Sequence, residues 1–84
     1  MRDLGQGRTA IAESIWDWML IREPDGSLLL SVVCGSVGIY EVDVVLDAEQ
    51  TAAFEANGAP VLQHLAEDVR KDPAHYLALR RQAP

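Results

Sequence analysis

The side chains most able to do chemistry are few: Cys34, His64, His75, the paired tryptophans Trp16 and Trp18, and the acids Asp17, Glu41 and Asp43. Cys34-Gly35-Ser36 has the look of a nucleophile at a turn, but a working thiolate needs a base or cation close by to lower its pKa. In sequence no lysine or arginine stands near Cys34, and free cysteine is ordinarily a small buried hydrophobe. His64 and His75 have no second His, Cys or Asp at ligand spacing, so zinc is not supported. If Asp17, Glu41 and Asp43 share a sheet face, the spacing of strands puts Asp17 and Glu41 roughly 12 Å apart. That separation is too wide for common coordination of a cation. Gly35-Ser36-Val37-Gly38 joins two strand-like segments and lacks the following helix that a phosphate loop requires, so it reads as a tight turn. Trp16 and Trp18, two apart in a strand, share a face and are explained by burial. These residues give no catalytic, cofactor-binding or metal-ligating set.

The acids and bases are unevenly placed. Eleven of the thirteen acids lie between residues 9 and 69, where Arg22 is the only cation, whereas residues 70–84 hold Arg70, Lys71, Arg80 and Arg81 against Asp72. With a net charge of −6, the chain repels phosphate backbones, which argues against direct nucleic-acid binding. The late basic residues complement helix C-terminal dipoles. One cysteine allows no internal disulfide and suits a reducing cytoplasm. The first residues lack the apolar run of a signal peptide, and no segment approaches the ~20 apolar residues of a membrane span. A soluble, cytoplasmic protein is expected.

The elements that must position these groups follow from patterning. Eighty-four residues with a hydrophobic fraction of 49% support one small core. Residues 1–8 are expected to be disordered, and residues 9–84 to form a single α+β domain. Residues 9–14 read equally as strand or helical turn. Residues 15–23 suit a strand, and Glu23-Pro24-Asp25-Gly26 is a strong signal for a type I turn with a glycine bulge. Residues 28–34 and 39–46 complete a three-stranded antiparallel meander. Pairing Trp16 with Cys34, Trp18 with Val32 and Leu20 with Leu30, then Val32 with Tyr40 and Leu30 with Val42, makes one face continuously apolar. That face comprises Trp16, Trp18, Leu20, Leu28, Leu30, Val32, Tyr40, Val42, Val44 and Leu46; a slip of one residue would bring Glu41 and Asp43 into it.

Asp47 and Gln50 form a capping-box signature for a helix over 48–57. The apolar stripe Phe54, Val61, Leu62, Leu65, Ala66 and Val69 keeps phase past Gly58 and Pro60, so a second helical piece over 60–71 is either kinked or broken from the first. Asp72-Pro73 opens a third helix through about residue 81, docking Tyr76 and Leu77 and projecting Arg80. Two to three helices then pack on one sheet face.

The stretch from Leu30 through Val42, the helix start at Leu46–Gln50 and the closing Asp72-Pro73-Ala74-His75-Tyr76 resemble small bacterial proteins of unknown function. That resemblance implies no activity.

The meander leaves a second sheet face with Met19, Ile21, Leu29, Val33, Ile39 and Val45, which is more apolar surface than solvent-facing strands usually carry. This pattern favours an interaction or self-association module, a homodimer or one half of a complex with a basic protein partner, using those six residues as the interface. The alternative is a small enzyme or ligand-binding protein with a pocket near Trp16, Cys34 and His64. A cavity of ~300 Å³ or more is hard to hold open in so small a core.

Overall fold

The computed structural model describes residues 2–35 and 38–82, without the side chains of 79–82. Five strands, β1 (Arg2–Gly5), β2 (Arg8–Ser14), β3 (Trp18–Arg22), β4 (Leu28–Cys34) and β5 (Tyr40–Val45), form an antiparallel meander in chain order. Three helices follow: α1 (Ala48–Asn57), α2 (Ala59–Lys71) and α3 (Pro73–Gln82). The α+β class and the antiparallel meander agree with the sequence reading, but the strand count rises from three to five. Residues 2–14, expected as a loose tail and an undecided segment, form a hairpin added to the edge of β3. Its turn places Gln6 at φ +57° and Gly7 at φ +80°, the paired positive values of a two-residue hairpin.

The β3–β4 hairpin has the expected turn. The Gly26 N–H donates to the Glu23 carbonyl and the Glu23 N–H to the Ser27 carbonyl, both at 2.9 Å. Gly26 lies at φ +90°. Trp18 pairs with Val32 and Leu20 with Leu30, as the alternation requires. The β4–β5 pairing differs by two residues from expectation: Cys34 faces Tyr40, Val32 faces Val42 and Leu30 faces Val44. A two-residue shift lengthens the connection yet preserves which side chains share a face, because the strand period is two. Within that connection, Ser36 and Val37 lie outside the described residues. Gly35, at φ +104°, admits no side chain, since a Cβ there would collide with the Gly38 carbonyl oxygen.

Asp47 and Gln50 make the full capping box: the Gln50 N–H donates to Asp47 Oδ1 at 2.7 Å and the Asp47 N–H to Gln50 Oε1 at 2.9 Å. The helix breaks at Gly58, whose φ of +78° ends α1 while its N–H donates to the Phe54 carbonyl. Pro60 then sits in the first turn of α2, where its missing N–H removes no helical bond. Leu62, Leu65, Ala66 and Val69 of α2 are buried against Trp18, Leu20, Leu28, Leu30, Val32, Cys34 and Val42 of the sheet and Leu46 just beyond it. Val44, Phe54, Tyr76 and Leu77 pack on the margin of this core. Trp18 places its indole N–H on Gln63 Oε1 at 3.0 Å, so its polar edge is satisfied at the helix–sheet boundary.

Candidate interaction surface

Trp16 is not in the core. The chain leaves β2 through a turn in which the Asp17 N–H donates to the Ser14 carbonyl at 2.9 Å, and Trp16 occupies the third position at φ +62°. That position favours glycine or asparagine, and a bulky side chain there is an outlier. The expected pairing of Trp16 with Cys34 is therefore corrected: β3 begins at Trp18, and Asp17 still contacts the next strand through its carbonyl, which accepts from the Val33 N–H. The turn leaves Ile15 80% and Trp16 83% exposed. Two large apolar side chains, one on strained backbone, stand in solvent at the tip of a hairpin.

The turn is held from below. Arg70, in the last turn of α2, donates from Nε to the Val33 carbonyl at 3.0 Å and from Nη2 to the Asp17 carbonyl at 2.8 Å, and its guanidinium pairs with the Asp17 carboxylate. One arginine thus ties the helix layer to β4 and to the residue after Trp16.

The tip opens onto the second sheet face. A depression of 340 Å³ is bounded by Ile15, Trp16, Met19, Val33, Glu13 and Glu41, among others, and includes Ser31. Arg2 at its rim is paired with Glu13 at 3.2 Å. At the other end of the same face a second depression includes Leu29, Asp43 and Val45, beside the Arg8–Glu23 ion pair at 2.8 Å.

Of the six residues expected to form an interface, Ile21 and Leu29 are covered within the chain, at 7% and 8% exposure. Ala10 of β2 stands opposite Ile21, and Val45 opposite Leu29. Met19 and Val33 are half-buried, whereas Ile39 and Val45 are 75% and 60% exposed. Ile15 and Trp16 join the exposed set. Tyr40, expected in the core, is also exposed. It and Ile39 lie at the same end of the sheet as the Trp16 turn, on the far side of β4.

Trp16, Cys34 and His64 are not brought together. Trp16 lines the second face, Cys34 is buried in the core on the helix side, and His64 is exposed on α2. Burial raises the Cys34 pKa, opposed in part by the positive charge of Arg70. Arg70 is the cation that sequence proximity missed, because it reaches the sheet from 36 positions along the chain. A raised pKa leaves Cys34 a neutral thiol near pH 7. His75 is exposed, its ring edge-on to Tyr76 at 5.2 Å. Asp17 is engaged with Arg70 and separated in role from Glu41 and Asp43. Among the described residues no group of three or more His, Cys, Asp or Glu is gathered as a metal site, and no described helix is long and apolar enough to cross a membrane.

The structure adds two residues that sequence reasoning places wrongly or does not consider: Trp16 and Ile15. The available signal is Ser14-Ile15-Trp16-Asp17, in which serine and aspartate bracket a turn while the residues between them look like strand. Compared with known protein families, with curated proteins and with solved structures, the chain matches none.

Proposed function

We propose that this protein is a non-catalytic binding module that docks another protein on its second sheet face, with the Ile15–Trp16 turn as the apolar anchor. The observation that carries this reading is Trp16 itself: 83% exposed, on backbone at φ +62°, beside an open depression lined by apolar and charged side chains together. Strained, exposed aromatic positions cost stability, and in binding surfaces tryptophan supplies more contact energy than most residue types. The separation of Trp16, Cys34 and His64 removes the geometric motive for a pocket enzyme. The single cysteine is buried, which fits a reducing compartment, and we place the interaction in the cytoplasm.

A hetero-partner is favoured over a homodimer. A two-fold interface sets each patch against itself, and this face carries Glu13, Glu23, Glu41 and Asp43 against Arg2 and Arg8. The β5 edge is guarded in the same way, since pairing with a second β5 would bring Glu41 and Asp43 against like charges.

The test is proximity labelling in the host's own cells with the parent chain and Trp16→Ala, alongside solution mass at two concentrations. A monomeric parent that enriches a defined protein, lost in a folded Trp16→Ala variant, is the expected result. Identical labelling by both, or a parent dimer, contradicts the reading.

A further inference from the structure

We infer that the partner presents an arginine side chain to the indole of Trp16 and the carboxylate of Glu41, flanked by an apolar residue that enters beside Met19 and Val33. This deepens the docking reading above and rests on it. Charge complementarity selects the occupant. The depression is bordered by Glu13, Asp17 and Glu41, and two of these already have cations: Glu13 pairs with Arg2 and Asp17 with Arg70. Glu41 has no ion pair among the described residues and borders the same depression as Trp16.

A carboxylate and an exposed aromatic face on one depression match guanidinium chemistry. The planar cation stacks on an indole through cation–π attraction while its N–H groups donate to a carboxylate in bidentate fashion. Lysine, a strongly hydrated point charge, satisfies only part of that geometry. The apolar wall explains why the arginine needs a hydrophobic neighbour: Ile15, Met19 and Val33 offer contact but no hydrogen-bonding side chain. The surrounding excess of acids raises the encounter rate for a basic segment and repels a second copy of this chain.

The experiment uses the full chain, labelled with 15N, titrated with an acetylated and amidated hexapeptide alternating arginine and leucine. A matched peptide carries citrulline, which keeps the shape of arginine without its charge. The arginine peptide is expected to shift the amides of residues 15–19, 33 and 41 and the Trp16 indole N–H. Its affinity should exceed that of the citrulline peptide at least fivefold. Trp16→Ala should weaken it at least tenfold. Glu41→Gln should abolish the preference for arginine, and Glu55→Gln, on α1, should leave binding unchanged.

Equal binding of the two peptides at this site overturns the arginine assignment and leaves the docking surface standing. Shifts scattered over the acidic body, or affinity unchanged in Trp16→Ala, overturn the assignment in favour of diffuse charge attraction. Absence of any shift around Trp16 with either peptide overturns both the arginine and the docking readings. A blue shift of tryptophan emission on zwitterionic phosphatidylcholine vesicles alone, absent in Trp16→Ala, makes the tip a membrane contact and overturns the protein partner.

Discussion

Arg70 reaches from the end of α2 to clasp Asp17, the residue directly after Trp16, by its backbone carbonyl and its carboxylate together. The same guanidinium holds the Val33 carbonyl, so helix, turn and β4 meet at one side chain. Replacing Arg70 with Ala should cost about 1–3 kcal/mol, the range for hydrogen bonds to a charged group whose partners lose them. Arg70→Lys should recover only part, because an ammonium cannot reproduce the planar fork. Urea denaturation of the three proteins checks this; equal stability of all three would show that the clasp contributes nothing.

Gly26 has open space where a side chain would project, with no heavy atom within 4 Å of a Cβ placed there, yet its φ is +90°. A substitution at this position is therefore a test of backbone conformation alone. Gly26→Val should lose on the order of 1–3 kcal/mol, as expected for a β-branched residue in a left-handed position. Thermal denaturation reads the effect, and an unchanged midpoint would contradict the bulged turn between β3 and β4.

Much of this fold is legible in the sequence because its strongest signals are local. Pro24-Asp25-Gly26 marks one hairpin, Asp47 with Gln50 marks a helix start, and the apolar–acidic alternation within residues 39–46 marks the buried face. The β1–β2 hairpin is hidden because its turn residue is Gln6, where asparagine or aspartate is the familiar marker, and because Ala10 and Ala12 give weak strand preference. Trp16 misleads for a related reason. Period-two reasoning assigns Trp16 and Trp18 to one face as long as the strand is continuous, and a turn between them breaks the premise. The Arg70 contact joins residues 53 positions apart and has no local signature.

Ile21 serves as a probe of how the second face is covered. The strand pattern alone offers it to a partner, but Ala10 stands opposite it and it is buried within the chain. Ile21→Glu should therefore destabilise the monomer by more than about 3 kcal/mol, since an unpaired carboxylate loses its hydration there. Val45→Glu, at an exposed site on the same face, should stay within about 0.5 kcal/mol of the parent. Circular dichroism melts distinguish the two positions; a well-folded Ile21→Glu variant would contradict the burial of Ile21 within the chain.

The alkaline limb of stability follows from Cys34 and Tyr76. Burial raises the pKa of both, and for Tyr76 the carboxylates of Asp68 and Asp72 add to the effect. An acid whose folded pKa is raised releases its proton first from the unfolded chain. Stability is thus fully present below the ordinary values of 9.0 and 10.0 and declines as pH climbs above them. Urea midpoints measured from neutral into alkaline solution should fall once pH passes the ordinary thiol value of 9.0, and Cys34→Ser should flatten the first part of the decline. Native Cys34 should also resist alkylation near neutral pH; rapid labelling without unfolding would contradict its burial.

The most direct measurement compares urea denaturation of the parent with Trp16→Gly. If the indole is displayed for binding, it contributes almost no burial, and glycine relieves a left-handed backbone that costs a non-glycine residue about 1 kcal/mol. Trp16→Gly should then be as stable as the parent, or more stable by up to about 1 kcal/mol, while losing the shifts caused by the arginine peptide. A loss of more than about 1 kcal/mol would mean that the Trp16 ring is packed in the folded protein, and would contradict its assignment as an anchor held out for a partner.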